Sequence, residues 1–127
     1  MDRYKNIYDI DFGVIELVLK DFTYVSKKLY ITNEYFKNKK GFIVFYAPWC
    51  KYSKKISELI IDIALSYLNI ICVGAVNIEN LKDNNDMLSV YANIEKYPTI
   101  KIIGLNGILE DYNKEYNIDN LIYFINS

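Results

Sequence analysis

Nine consecutive residues carry the chemistry of this chain: Phe45, Tyr46, Ala47, Pro48, Trp49, Cys50, Lys51, Tyr52 and Ser53. Cys50 supplies a sulfur nucleophile. Ser53 stands where a second cysteine would complete a dithiol. A dithiol attacks a disulfide with one sulfur and frees itself with the other. With Cys50 alone, capture of a disulfide is available and self-release is not.

Such a sulfur must be held in place by its neighbours. Residues 42–46 form a short apolar and aromatic run, the pattern of a strand buried on both faces. Pro48 ends it. Over residues 51–68 apolar side chains recur at helical spacing, at Ile56, Leu59, Ile60, Ile63, Ala64 and Tyr67. Lys54, Lys55, Glu58 and Asp62 fill other positions, so the segment is a long amphipathic helix. Cys50 falls at its N-terminal end, where unpaired N–H groups and the helix dipole favour thiolate over thiol. Lys51, Lys54 and Lys55 beside it, with Lys37, Lys39 and Lys40 upstream, add positive charge, which solvent screens where they are exposed.

Residues 70–76 are a second buried strand. Asn84, Asn85 and Asp86 can cap a helix running to Tyr91. Residues 99–103 and 108–110 read as strands around Asn106 and Gly107, a two-residue hairpin signal. Asn117 can cap a last helix over 118–125, with Leu121, Ile122 and Ile125 inward. Earlier in the chain, 14–19 and 28–31 read as strands and 33–38 as a short helix. The patterns are weakest over residues 1–40. The order is β–α–β–α–β–β–α with an extra strand first. It implies an α/β fold, a central mixed sheet with helices on both faces.

At 127 residues the chain reads as one domain, 1–127, with its clearest part over 41–127. Its net charge is -1, so no nucleic-acid partner is expected. Basic residues gather in the first half, 11 Lys/Arg against 7 Asp/Glu over 1–60, and a solvated lysine face explains them as well as a functional one does. There is no histidine, which excludes His-based acid–base catalysis and His metal ligation. Cys50 and Cys72 make neither a zinc site nor a disulfide framework, so no metal and no cofactor are expected. Asp9 and Asp11 interrupt the N-terminal apolar residues, unlike a signal peptide. No window approaches the 18 or so apolar residues of a membrane helix. A cytoplasmic protein with no membrane partner is expected. The 13 Tyr and 6 Phe exceed the needs of one small core. Exposed aromatics suit protein contact, and a bias toward Ile, Asn, Lys and Tyr explains the same count.

Two motifs carry a resemblance. Phe45-Tyr46-Ala47-Pro48-Trp49-Cys50 is one, and Tyr97-Pro98-Thr99-Ile100-Lys101 is the other. With the spacing of Tyr112, Leu121, Phe124 and Ile125, they resemble the thioredoxin-like superfamily, most closely a catalytic domain of protein disulfide isomerase. The resemblance implies the thioredoxin fold and thiol–disulfide exchange at Cys50. It also implies that Pro98 is a cis-proline facing Cys50. The Tyr97 backbone would then pair with a bound peptide as an added strand. Trp49, Lys51, Tyr52, Tyr97 and Pro98 would surround the catalytic Cys50 and Ser53, and the proline would keep a metal ligand out of the site.

The chain departs from that family in several places. Ser53 replaces the resolving cysteine; its hydroxyl can donate a hydrogen bond to Cys50 but cannot attack a disulfide. Val44 holds the place of the family's buried acid, and Ala75 that of the partner lysine. Without a second sulfur, a buried carboxylate at Val44 would cost stability to no purpose. Replacing both members of a buried ion pair by apolar residues is often neutral or stabilising. Lys51 and Tyr52 stand for the usual Gly and His, and Lys114 and Tyr116 for a Gly and an Arg. Cys72 reads as a small buried hydrophobe on its strand, remote from Cys50.

Two functions follow. In the first, Cys50 holds a protein or peptide client as a mixed disulfide, and an external thiol such as glutathione releases it. That is isomerase or weak reductase chemistry, not efficient dithiol oxidation. In the second, the fold is a redox-inactive binding or scaffold module. The expected state is a monomer or a weak dimer, joined through Cys50 or through aromatic surface.

Overall fold

The computed structural model describes residues 5–127. Along the chain come β1 (Val14–Leu17), β2 (Phe22–Val25), β3 (Lys28–Ile31), β4 (Gly41–Tyr46), α1 (Lys51–Ser66), β5 (Cys72–Asn77), α2 (Asn85–Tyr91), β6 (Thr99–Ile103), β7 (Leu109–Asp111) and α3 (Ile118–Ile125). The main sheet has the order β1-β5-β4-β6-β7. β5 pairs in parallel with both β1 and β4, while β6 runs antiparallel to β4 and to β7. The expected mixed sheet, with its extra first strand, is therefore present.

β4 and β5 are central because every residue of both is buried. Their side chains alternate between two apolar layers, as the pleat of a strand requires. Phe42, Val44 and Tyr46 join Val73 and Ala75 on one face, under Ile56, Ile60 and Ile63 of α1 and Leu121 and Ile125 of α3. Ile43, Phe45 and Val76 face the other way, toward Leu88 of α2 and Leu29 and Ile31 of β3. Each fully buried aliphatic or aromatic side chain contributes about 1.5–3 kcal/mol of transfer free energy. Gly41 opens β4 opposite Cys72. A Cβ there would lie 1.9 Å from the Cys72 carbonyl oxygen, so only glycine lets the two strands start this close.

Three elements differ from the sequence expectation. The segment expected as a helix over 33–38 is a single 3-10 turn, Glu34–Phe36, with Asn33 Oδ1 accepting from the Tyr35 amide at 2.9 Å. Asn38 then takes φ 58°, which no helix continues through. The hairpin between β6 and β7 is not a two-residue turn at Asn106 and Gly107. Those two do take positive φ, 59° and 86°, but Ile108 leaves β7 to bridge Tyr30. The first strand pair of the hairpin is Ile103 with Leu109, and a wider loop closes through Gly104 N–H to the Ile108 carbonyl at 2.7 Å. Finally, β2 was not anticipated. It pairs with β3 in a separate two-stranded sheet across Ser26 and Lys27, both at positive φ.

Candidate functional site

The turn from β4 into α1 carries Cys50. Tyr46 ends β4, its carbonyl accepting from the Ile78 amide at 2.9 Å. The Ala47 carbonyl accepts from the Cys50 amide at 2.9 Å, closing a tight turn around Pro48 and Trp49. Cys50 is the N-cap of α1, and its carbonyl accepts from Lys54 N–H at 3.1 Å. Its side chain makes no capping bond. Instead Sγ donates to the Tyr97 carbonyl at 3.7 Å. Cys50 is partly exposed. The Tyr97–Pro98 peptide bond is cis, and both residues are partly buried beside the sulfur's partner carbonyl. Two motifs far apart in sequence thus meet at one sulfur.

The other residues expected at this site divide by exposure. Trp49 is 48% exposed and Tyr52 68% exposed, so neither serves the core. Lys51, Lys54 and Lys55 are exposed on the first turns of α1. Ser53 is fully buried, and its Oγ accepts from the Ala47 amide at 3.3 Å. Among the described residues no hydrogen bond joins Ser53 to Cys50. The hydroxyl oxygen fixes the turn from inside by accepting from its backbone.

Lys37, Lys39 and Lys40 do not contribute to this site. They precede β4, while Cys50 follows it, and six extended residues separate the two ends by roughly 20 Å. Lys39 Nζ lies over the Tyr35 ring, 4.7 Å from its centroid. Lys40 Nζ donates to the Ser127 carbonyl at 2.6 Å. Cys72 lies at that same remote end, 2% exposed, its Sγ donating to the Tyr35 carbonyl at 3.4 Å. Burial pushes its thiol up from the ordinary range. Tyr116, at the position of a family arginine, accepts from the Ile100 amide at 2.8 Å through its hydroxyl.

Val44 and Ala75, the positions of the family's buried ion pair, are wholly buried and directly paired in register. One group near them escaped the sequence reading. Glu16 on β1 pairs with Ala75, in the same row of the sheet. Its carboxylate accepts from the Tyr46 hydroxyl and from the Tyr8 amide. Burial pushes its carboxyl up to about 7, against the pull of those hydrogen bonds. A single acid inside the run Val14-Ile15-Glu16-Leu17-Val18 was the available signal. Asn77 and Asn85 are also buried, Asn85 Nδ2 donating to the carbonyls of Leu17 and Asn77 at 3.1 and 2.9 Å. Among the described residues there is no cluster of three or more His, Cys, Asp or Glu able to hold a metal, and no helix long and apolar enough to cross a membrane.

Comparison with known proteins gives this geometry its relatives. Protein disulfide-isomerase 1 of Dictyostelium discoideum is 32% identical over 93 residues, which cover 71% of this chain and 25% of that protein. Protein disulfide-isomerase MPD1 of Saccharomyces cerevisiae is 31% identical over 98 residues, 77% of this chain and 28% of that one. The chain thus spans about a quarter of the length of these relatives. Among solved structures, the J-Trx1 fragment of ERdj5 superposes with a TM-score of 0.72 at 21% identity, covering 95% of this chain and 56% of that one. The first thioredoxin domain of mouse protein disulfide-isomerase A4 gives 0.67 at 20% identity, covering 96% of this chain and 84% of that one. At such identities the structures establish the shared fold alone. The thioredoxin family model itself matches residues 23–127. With a mixed five-stranded sheet, three helices and this match across most of its length, the chain belongs to the thioredoxin family.

Proposed function

We propose that this protein is a one-sulfur member of the family, in which Cys50 exchanges with disulfides of a protein or peptide client. The observation that carries the reading is the Cys50 Sγ contact with the Tyr97 carbonyl, with Ser53 in the place of a second sulfur. The Cys50 thiolate attacks one sulfur of the client disulfide. A bond forms between Cys50 Sγ and that sulfur, the client's own S–S bond breaks, and the other client sulfur leaves as a thiolate. An external thiolate, such as glutathione in a reducing cytoplasm, then attacks the mixed disulfide and returns the Cys50 thiolate. The exposed rings of Trp49 and Tyr52 suit a polypeptide client. The 5–127 region acts as one unit, since Tyr8 packs in the same core layer as α1 and α3.

The test is incubation of the reduced protein with excess oxidised glutathione near neutral pH, followed by intact mass measurement. One glutathione adduct on Cys50, reversed by added thiol, is expected. A Cys50 that stays unmodified sinks the reading.

A second reading keeps the same face and drops the sulfur step. The apolar Val44 and Ala75 favour it, because they leave out the charged pair that the family's dithiol members place there. A Cys50→Ala variant that binds and functions as wild type would select it. A covalent dimer through Cys50 is a further outcome, visible as a species lost on reduction in gel electrophoresis.

A further inference from the structure

The carboxyl of Glu16 has no part in the chemistry assigned to Cys50. It does have a part in holding down the chain that precedes β1. Tyr8 N–H donates to Glu16 Oε2 at 3.2 Å. The Tyr46 hydroxyl donates to the same oxygen and accepts from the Ile7 amide at 3.0 Å. The Tyr8 and Tyr46 rings meet edge to face, 5.3 Å between centroids. Asn77 Nδ2 donates to Asn6 Oδ1 at 2.8 Å. Residues 6–8, which form no helix or strand, are thus stitched to the sheet chiefly through one carboxyl and one tyrosine.

Among the described residues no cation balances that carboxyl. Its neighbours across the sheet are Ala75 and then Val44. On the same face α1 brings Ile60, Ile63 and Ala64, and α3 brings Leu121 and Ile125. The segment above contributes Tyr8, while Lys5 and Asp9 are exposed. Among the described residues the one ion pair, Lys101 with Asp111, lies elsewhere. The hydroxyls of Tyr8 and Tyr46 are themselves pushed up, by burial first and by the Glu16 charge second, so neither ionises near neutrality.

Withdrawing water from a carboxyl penalises its charged form. Lifting residues 6–8 readmits water and returns Glu16 toward its ordinary value. The same docking gives the carboxylate the Tyr8 amide bond, which favours the ionised form, but burial is the larger effect. The docked segment therefore holds the Glu16 proton more tightly than the lifted one, and docking and proton binding reinforce each other. Docking also buries the Tyr8 hydroxyl without a hydrogen-bond partner, which weakens it.

We propose that residues 6–8 are a proton-linked strap across the Glu16–Tyr46 pair, fastened while Glu16 is protonated and loosened as it ionises. Tyr46 is the last residue of the strand that leads to Cys50, so the strap grips the root of that turn. The inference does not depend on the sulfur chemistry and stands or falls separately from it.

The test is amide hydrogen exchange of Ile7 and Tyr8 in the full chain, from about pH 4.5 to about pH 8.5, with the intrinsic pH dependence divided out. Protection of both amides should fall by at least about tenfold between pH 5 and 7, then level off. In Glu16→Gln, which keeps the shape and cannot ionise, protection should stay flat. Tyr8→Phe, which removes the unpartnered hydroxyl, should raise protection at every pH and keep the slope. Constant protection in the wild type overturns the proposal. So does an equal fall in Glu16→Gln, or protection of Ile7 and Tyr8 equal to that of the β5 amides at every pH, which would mean that the segment opens only by global unfolding.

Discussion

The two cysteines occupy opposite ends of adjacent strands, and the fold treats them in opposite ways. Cys50 follows the last residue of β4, partly exposed, at the start of α1 and within reach of the Tyr97 carbonyl. Cys72 opens β5, almost wholly buried, with burial pushing its thiol up. The side chains are the same. Only helix-end placement, solvent access and neighbours differ, and these decide which thiol is available to a disulfide. Each also points its sulfur at a backbone carbonyl, of Tyr97 or of Tyr35, so hydrogen bonding alone does not distinguish them.

The sharpest way to break this contrast is to remove each sulfur in turn. Cys50→Ser should abolish the glutathione adduct, while Cys72→Ala should leave it intact. In native protein, alkylation of Cys50 should outpace that of Cys72 by on the order of 100-fold, read by peptide mass mapping. Equal rates would erase the distinction.

The next test restores a dithiol. Ser53→Cys places a second sulfur one helical turn from Cys50, and intramolecular attack should release a bound client on the order of 100-fold faster than dilute external thiol does. The adduct lifetime after removal of free thiol measures this. An unchanged lifetime would mean that the buried site at 53 cannot reach the Cys50 sulfur.

A smaller effect separates the sulfur end of the sheet from its carboxyl. The Glu16 value is raised in the folded state to about 7. Its favourable contribution is therefore complete below about pH 4.5 and is lost as pH rises through about 7. Glu16→Gln should remove that loss and stabilise the protein at pH 8 by about 1–3 kcal/mol, the side chain being only partly buried. Urea midpoints at pH 5 and pH 8 check the sign. The smallest effect is at the remote thiol, where Cys72→Ala should cost about 1 kcal/mol with no change in adduct formation.

Much of this architecture is legible in the residues alone. β4 and β5 announce themselves as apolar runs, and α1 and α3 through helical periodicity, because the two strands are buried along their whole length and each helix buries one face against the core. β2 does not. Three of its four residues are exposed, and its turn at Ser26 and Lys27 takes positive φ without the Gly or Asn that would mark it. Ile108 reads as strand by composition, but its place is set by a bridge to Tyr30, far away in sequence. Within the site, Cys50, Tyr97 and Pro98 carry motif signals. Glu16 carries none of that kind, since its meaning depends on Tyr46, 30 residues later. Charge near Cys50 misled for a related reason: lysines close in sequence lie at the far end of a straight strand.

One lysine at that far end has a practical meaning. Lys40 Nζ grips the last turn of α3 and its exit, bonding the carbonyls of Ile125 and Ser127 at 3.2 and 2.6 Å. Anything appended after Ser127, whether a fluorophore, a surface tether or more polypeptide, would depart from the pole opposite Cys50. An immobilised protein coupled there would keep its sulfur pointing into free solution.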